Sequence, residues 1–332
     1  MKRIGITIGD INGIGSEVAL KAVGKHRWLA DVRFVFIGSE RIVREQAAAM
    51  KIPVSRKIEF LNVGQASLPA QSGKGRQRCL PHIKWQPGMI RVDASRLAEQ
   101  AIRRAVEGCL SGELDAMVTA PICKEGFHKA GINVPGHTEY LAELTDTATF
   151  GMMLMGGGLR VMLVTRHIPL SEVPAALTRK NICEHIELTG EALKLFGIKK
   201  GRIGVCGLNP HAGDGGVLGR EEIELINPAI RAAQKKGFNV FEAVPADTIF
   251  YEALRGDYDA VVAMYHDQGL GPLKMIGFDE GINVTLGLPI IRTSPDHGTA
   301  FDISGKNQAS PKSMENALAL AIEMAGKPNP WK

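Results

Sequence analysis

The chain has few cysteines, and none of them form a CxxC pair. They stand far apart, at Cys79, Cys109, Cys123, Cys183 and Cys206. This scatter excludes a disulfide framework and a thiolate zinc site, and it is typical of proteins in a reducing compartment. The opening segment, MKRIGITIGD, reaches Asp10 too early for a signal peptide. We therefore expect a cytoplasmic protein.

Long apolar runs and aromatic residues are also scarce. The longest uncharged Gly/Met-rich run, 148–159, is too short to span a bilayer, so we expect no membrane segment. Aromatic residues make up only 5% of the chain, and the basic residues form no long run despite a net charge of +5. These features argue against nucleic acid as a partner. The mild excess of positive charge leaves two interpretations, a solvated surface or a site for an anionic ligand.

The usual nucleotide-binding fingerprints are missing as well. An apolar strand pattern at 3–8 runs into the glycine-rich turn 9–15, and Ser16 is placed to cap a following helix. The glycine spacing is GxxxGxG, which matches neither the Rossmann fingerprint GxGxxG nor a P-loop. A strand, a glycine turn and a helix can still cradle a phosphate. A tight turn with close packing is an equally good interpretation of this segment alone.

The chain does show a regular alternation of strands and helices. Apolar strand patterns occur at 3–8, 33–38, 115–119, 160–165, 202–207, 260–265 and 282–286, and helical patterns between them. This order predicts an α/β protein with largely parallel sheets, whose ligand site lies beyond the carboxyl ends of the strands. With 332 residues the chain is long enough for two such domains. The segment 64–89, rich in Gly, Gln, Pro and basic residues, is predicted to be a surface excursion.

Three histidines share one position relative to the predicted strands. His167, His211 and His266 each follow an apolar strand pattern within a few residues, in a segment punctuated by Pro or Gly. Carboxyl ends of parallel strands meet at one edge of a sheet, so three imidazoles there suit a divalent metal with open positions. Asp247 and Asp267 could supplement the site or fix the tautomer of an imidazole. Singly, each histidine is better read as a loop residue; the shared position favours the metal.

A second group of polar residues is suited to anions. Arg292 offers a bidentate fork to a carboxylate or phosphate, and Lys274 offers a point charge. His137 and Thr138 open a predicted helix, where backbone N–H groups add donors, and Asn283 lies in a predicted strand. We expect these residues to bind the anionic groups of a substrate.

Several segments carry a family resemblance. RIGITIGDINGIGSEV (3–18) and DHGTAFDISGK (296–306) resemble the opening turn and the adenosine-binding loop of the isocitrate/isopropylmalate dehydrogenase superfamily, which binds NAD(P) without a Rossmann domain. The segments TAPICK, GHTEY, VTRHIPL, GLNPHAGDGG, LGREE, PADT, AMYHDQGLGPLK and GINVTLGLPIIRTSPDHGTA resemble the signatures of the 4-hydroxythreonine-4-phosphate dehydrogenase family of vitamin B6 biosynthesis. The resemblance runs over nearly the full length.

The resemblance implies an architecture and a set of ligands. It implies two α/β/α domains of the isocitrate/isopropylmalate dehydrogenase type with the active-site cleft between them, in a homodimer whose subunits share residues at each site. We assign 1–125 plus 287–332 to a nucleotide-binding domain and 126–286 to a metal-binding, substrate-binding and dimerisation domain. The implied NAD or NADP contacts are Asp296, His297, Gly298, Thr299 and Ala300; the implied ligands of zinc, magnesium or cobalt are His167, His211 and His266; the implied substrate contacts are His137, Thr138, Lys274, Asn283 and Arg292.

The implied reaction is oxidation of 4-phosphohydroxy-L-threonine at its 3-hydroxyl, followed by decarboxylation to 3-amino-2-oxopropyl phosphate in pyridoxal phosphate biosynthesis. Lys274, Asp247 and Asp267 are unranked candidates for the general acid or base. The opening GDINGIGSEV departs from the family's usual GDPAGIGPE, which leaves room for a paralogue acting on 4-phospho-D-threonate or D-erythronate. Two further alternatives are a metal-dependent hydrolase and a non-catalytic anion-binding protein, and the HGTA loop argues against both.

Overall fold

The computed structural model describes residues 1–25, 28–64 and 83–332. Most of the predicted excursion 64–89 therefore lies outside the described residues. The strands, numbered along the chain, are β1 Lys2–Thr7, β2 Val32–Gly38, β3 Ile58–Asn62, β4 Ala116–Thr119, β5 Gly151–Gly156, β6 Leu159–Leu163, β7 Ile203–Val205, β8 Ala260–Ala263, β9 Ile282–Leu286 and β10 Arg292–Pro295. The α-helices are α1 Gly15–Lys25, α2 Glu40–Met50, α3 Val92–Ser111, α4 Lys124–Lys129, α5 His137–Leu144, α6 Val173–Ala176, α7 Arg179–Leu195, α8 Asn227–Lys235, α9 Ala246–Leu254, α10 His266–Gly277 and α11 Lys312–Met324. A short 3₁₀ segment lies at Leu170–Glu172, a turn with mostly positive φ at Pro210–Gly216, and a π-helix at Glu222–Ile226.

The first compact unit comprises Met1–Thr145 and Ile290–Gly326. Its strands lie in the order β3-β2-β1-β4-β10, and every pairing among them is parallel. Residues of β1, β2 and β4 are almost all buried, as expected for parallel strands covered on both faces. All five strands therefore end on the same edge of the sheet.

The second unit comprises Asp146–Pro289 and Lys327–Lys332. Its strands lie in the order β9-β5-β6-β8-β7. Strand β8 pairs in parallel with both β6 and β7, whereas β5 runs antiparallel to β6 and β9. A core cluster that includes Val161, Leu163, Val261, Leu270 and Leu273 packs α10 against β6 and β8.

The predicted α/β class with largely parallel sheets is confirmed, but four local predictions were wrong or incomplete. The uncharged run at 148–159 contains β5, and β10 begins at Arg292. Ser16 does not cap a helix, because α1 already begins at Gly15. His266 is the first residue of α10, although Gly269 and Pro272 suggested a loop. The helix forms despite these residues because Leu270 and Leu273 are buried in the core cluster.

The units differ from the predicted domain edges in extent. The first unit continues past residue 125 to Thr145, because Tyr140 of α5 is buried and its hydroxyl donates a 2.5 Å hydrogen bond to Glu99 of α3. The last residues join the second unit, where Asn329 donates a 3.0 Å hydrogen bond to the carbonyl of Leu288.

Within residues 1–25, 28–64 and 83–332, no helix combines the length and apolarity that crossing a bilayer demands. The cysteines described, Cys109, Cys123, Cys183 and Cys206, are buried free thiols.

Candidate active site

A buried cation lies at the strand edge of the first unit. Arg292 begins β10 beside β4 and is only 2% exposed. Its Nε and Nη2 atoms both donate to the hydroxyl of Thr119, the last residue of β4, at 3.1 and 2.7 Å. Burial lowers the pKa of Arg292 to about 9, so the guanidinium is still protonated at neutral pH. The neutral hydroxyl group of Thr119 thus holds the protonated guanidinium group of Arg292.

His137 lies in the same electropositive environment. It opens α5 directly after Gly136, and burial, then the charges of Arg292 and Lys124, lower its pKa well below the usual value. The imidazole is therefore neutral at neutral pH. Its Nε2 atom is buried and has no hydrogen-bond partner among the described residues.

Further groups complete this centre. The Lys124 ammonium would lie 3.9 Å from a Cβ atom at Gly136, so it covers the start of α5. Thr138 is buried in the first turn of that helix, and Glu139 faces Arg292 closely enough to oppose the fall in its pKa. We define the anion centre as Arg292, His137, Thr138, Lys124 and Thr119. Two cationic side chains and a helix N-terminus converge there, which is the chemistry that binds phosphate or carboxylate.

The loop 296–300 packs against the glycine-rich turn of the same unit. The N–H group of Ile14 donates to the carbonyl of Thr299 at 3.0 Å, and the Ser304 hydroxyl donates to the carbonyl of Gly13 at 3.1 Å. A Cβ atom at Gly13 would lie 2.8 Å from the Thr299 oxygen, so glycine is needed for this close approach. The structure therefore joins the two segments that resembled a nucleotide-binding superfamily.

Within the same turn, Asp10 is a fully buried carboxyl group. Its Oδ1 atom accepts a 2.9 Å hydrogen bond from the N–H group of Asn12, while Oδ2 has no partner among the described residues. Burial raises the pKa of Asp10 to about 6, and the charge of Asp93 adds to the rise, against the effect of the Asn12 hydrogen bond.

The three predicted histidines follow adjacent parallel strands of the second unit. His167 follows β6, His266 follows β8 and His211 follows β7. The rings of His167 and His266 face each other, with centroids 5.7 Å apart. His266 Nδ1 lies 2.7 Å from an oxygen of Asp267. A carboxylate there favours the proton on Nδ1, which leaves Nε2 as a metal-binding atom.

His211 lies on an unusual turn within Pro210–Gly216. Its φ is +52°, and Ala212 and Asp214 also have positive φ, at +52° and +44°. In the part of the chain that the structure describes, no three His, Cys, Asp or Glu side chains stand close enough together to hold a metal ion. The structure therefore brings two of the predicted ligands together and does not add His211 to them.

The remaining predicted residues lie elsewhere in the second unit. Lys274 is half-buried on α10, with its ammonium 5.7 Å from the centre of the Phe278 ring. Asn283 lies on β9 opposite Leu154 of β5. Asp247 is exposed in the first turn of α9, a helix that packs against Pro210–Gly216.

Comparison with known proteins identifies the family to which this chain belongs. The family model described as pyridoxal phosphate biosynthetic protein PdxA matches residues 30–321. The chain belongs to the PdxA family.

Members of the PdxA family named as two different dehydrogenases are similarly close to this chain. A 4-hydroxythreonine-4-phosphate dehydrogenase of Geobacter metallireducens is 42% identical over 327 residues, which cover 97% of this chain and 95% of that protein. A D-threonate 4-phosphate dehydrogenase of Cupriavidus necator is 43% identical over 327 residues, covering 97% of each. The crystal structure of a 4-hydroxythreonine-4-phosphate dehydrogenase from Klebsiella pneumoniae has a TM-score of 0.82 at 38% identity, covering 98% of this chain and 100% of that one. The family resemblance is confirmed, and the PdxA-family chain is an oxidoreductase.

Sequence reasoning missed three residues that the structure brings next to the candidate site residues. Thr119 ends the predicted strand 115–119 and Lys124 follows it within TAPICK, much as the histidines follow their strands, so a similar rule could have found both. Glu222, described below, stands in a pair of glutamates typical of a helix surface and gave no such signal.

Proposed function

We propose that this chain is a cytoplasmic, divalent-metal-dependent dehydrogenase that uses NAD or NADP. In this proposal it oxidises 4-phosphohydroxy-L-threonine at the 3-hydroxyl and releases carbon dioxide, giving 3-amino-2-oxopropyl phosphate for pyridoxal phosphate biosynthesis. The anion centre is the observation that carries the proposal. It combines a buried guanidinium and a neutral imidazole, and both are donors that a phosphorylated, carboxylated substrate could use.

The anion centre supports substrate binding through its charge and its rigidity. The two bonds from Arg292 to Thr119 fix the plane of the guanidinium before any ligand arrives. The neutral His137 can donate to a phosphate oxygen without adding the desolvation cost of another buried charge. Lys274 and Asn283 of the second unit would supply further contacts to the substrate.

The loop 296–300 supports dinucleotide binding. Its close packing on the turn 9–15 presents the backbone of both segments at the start of α1, which suits an anionic pyrophosphate. The bound cofactor would accept hydride from the substrate carbon. Asp296, His297, Gly298, Thr299 and Ala300 are the residues we propose to contact it.

His167, His211 and His266 would hold the divalent ion, whether zinc, magnesium or cobalt. The donor set fits in part, since the first and last of these rings already face each other and Asp267 orients His266. A bound divalent ion would polarise the substrate hydroxyl and the carbonyl that replaces it. Lys274, Asp247 and Asp267 remain the candidates for proton transfer, and Asp267 also has a positioning role.

We further propose that the protein is a homodimer whose subunits share residues at each site. Large apolar side chains are exposed at the end of α10, close in sequence to Lys274: Met275 is 83% exposed and Phe278 72% exposed. Exposed apolar patches of this kind mark contact surfaces. A second copy of this chain would cover them.

The second candidate function is oxidation of 4-phospho-D-threonate or 4-phospho-D-erythronate. The near-equal identities to relatives named for each substrate, 42% and 43%, fit this candidate as well as the first. The opening turn GDINGIGSEV departs from the family's usual GDPAGIGPE, and this departure leaves room for such a substrate.

The deciding experiment follows NADH absorbance with 4-phosphohydroxy-L-threonine, 4-phospho-D-threonate and 4-phospho-D-erythronate. Each is assayed with NAD or NADP, with zinc, magnesium or cobalt, and with a chelator as the control. Metal-dependent turnover of the amino acid alone supports the first function. Turnover of the sugar acids alone replaces it with the second, and no turnover of any of the three contradicts both.

A further inference from the structure

A buried glutamate lies beneath the turn that carries His211. Glu222 is 2% exposed. Its Oε1 atom accepts hydrogen bonds from the backbone N–H groups of Leu208 and Asn209, both at 2.8 Å. Its Oε2 atom accepts from the side-chain amide of Asn209 at 3.0 Å. Three donors from the entry to the turn therefore point at one carboxylate.

The turn itself requires such support. His211, Ala212 and Asp214 all adopt left-handed backbone conformations, at φ of +52°, +52° and +44°. Residues with a Cβ atom avoid this region because the side chain crowds the following carbonyl group. Such a conformation persists only where the surrounding structure imposes it. At the start of the turn, the hydrogen bonds to Glu222 can impose this left-handed conformation.

Close packing also links Glu222 to the turn. A Cβ atom at Gly213 would lie 2.6 Å from Oε2 of Glu222, and one at Gly207 would lie 3.2 Å from Oε1. The backbone on both sides of His211 therefore rests against the carboxylate. A shorter side chain at position 222 would leave a gap beneath the turn.

Glu222 lies in an irregular part of its helix. It begins the π-helix Glu222–Ile226, and Pro228 follows at the start of α8. Pro228 has no N–H group to donate to the carbonyl of Glu224. Arg179 donates to that carbonyl instead, at 2.7 Å, so the irregular turn is satisfied from α7. Wide turns of this kind occur often at functional sites.

We propose that Glu222 is a positioning residue that holds the turn 207–216 in its left-handed form and thereby sets the place of His211. Glu222 touches neither substrate nor cofactor in this role, since it acts through the backbone of Leu208 and Asn209. The consequence for metal affinity rests on the proposed function of His211 as a ligand. The consequence for the turn does not.

The test compares Glu222→Ala and Glu222→Gln with Glu224→Gln, whose exposed carboxylate pairs with Arg220 at 2.6 Å on the same helical turn. Hydrogen exchange measures the protection of the Leu208 and Asn209 amides. Calorimetry with cobalt chloride measures affinity for a divalent ion. In Glu222→Ala we expect exchange at least about tenfold faster and cobalt binding about 10- to 100-fold weaker. Glu224→Gln should match the wild type.

Glu222→Gln should lie between the two. Its uncharged carbonyl oxygen accepts from both backbone amides more weakly than a carboxylate does, and its amide group meets the Asn209 amide, donor against donor. This variant also decides the matter if Glu222→Ala fails to fold. Unchanged amide protection in Glu222→Ala or Glu222→Gln would overturn the proposal, and faster exchange with unchanged cobalt affinity would overturn the link to His211. Unchanged cobalt affinity in His211→Ala is a distinct result, which would overturn the metal site itself.

Discussion

The anion centre of the first unit is built on the paired parallel strands β4 and β10, and the histidines of the second unit follow the ends of parallel strands. The two groups are held differently. Arg292 is buried, and two hydrogen bonds to Thr119 fix its orientation. His266 is oriented by one carboxylate that is largely exposed to solvent, and His211 depends on a left-handed turn. Contacts within the protein hold the groups of the anion centre in place, whereas the three histidines are not brought together in the described part of the chain. Preorganisation lowers the cost of binding, so the two sites should respond differently to mutation.

The largest effect is expected for Arg292→Ala. Truncating one member of a buried, hydrogen-bonded charge pair costs about 2–5 kcal/mol of binding free energy. If Arg292 binds an anionic group of the substrate, kcat/KM should therefore fall by about 30- to 5,000-fold. Arg292→Lys should recover little, because an ammonium cannot reproduce the fork that bonds to Thr119. Steady-state kinetics with the preferred substrate measures the loss.

The matched measurement is cobalt affinity in the same Arg292→Ala variant. It should remain at the wild-type value, because Arg292 is not among the residues that we propose to hold the ion. A kcat/KM within threefold of wild type would remove Arg292 from the substrate site. Weaker cobalt binding would show that the two sites are not independent.

The next largest effect is on the free energy of unfolding, through Asp10 in the glycine-rich turn 9–15 of the first unit. Asp10 has a pKa raised by burial to about 6, so the folded state holds this proton more tightly than the unfolded state. Its ionisation therefore destabilises the protein as pH rises from about 4 to 6, and the penalty is fully present at pH 7. The Asp10→Asn variant cannot ionise there. Its free energy of unfolding relative to wild type should rise by about 3 kcal/mol between pH 4 and pH 7.

Urea unfolding at several pH values measures this difference. The exposed Asp31→Asn variant is the control for the loss of one surface charge in the same unit. A difference between Asp10→Asn and wild type that does not change with pH would contradict the raised pKa.

Much of this architecture could be predicted from the sequence because apolar strand patterns survive in it. Strand β9 was predicted with its observed ends, since Ile282 and Val284 are buried and glycine stands on either side. The rule that polar residues follow strands located all three histidines. Strand β5 was missed because its sequence, GMMLMG, has glycine at both ends and none of the β-branched or aromatic residues that are enriched in strands. It forms through pairing with β6 and β9.

Two features of the site could not be predicted from local pattern. Thr119 and Arg292 are 173 residues apart, and only the pairing of β4 with β10 brings them together. The left-handed turn at His211 depends on Glu222, a residue whose surroundings are buried although its sequence neighbours are typical of a helix surface. In both cases a tertiary contact decides the conformation.

The smallest expected effect is on cobalt affinity, through the exposed carboxylate of Asp267 beside His266. Asp267 accepts a hydrogen bond from His266 Nδ1 at 2.7 Å, but its side chain is 90% exposed. Solvent screens such a carboxylate, so Asp267→Ala should weaken cobalt binding by only about tenfold, the low end for partners of metal ligands. Calorimetry measures this change, and Asp267→Asn should restore most of the affinity, because its amide oxygen still accepts from Nδ1. A loss of cobalt affinity above about a thousandfold in Asp267→Ala would instead identify Asp267 as a metal ligand. From the sequence alone, this carboxylate was placed beside the histidines.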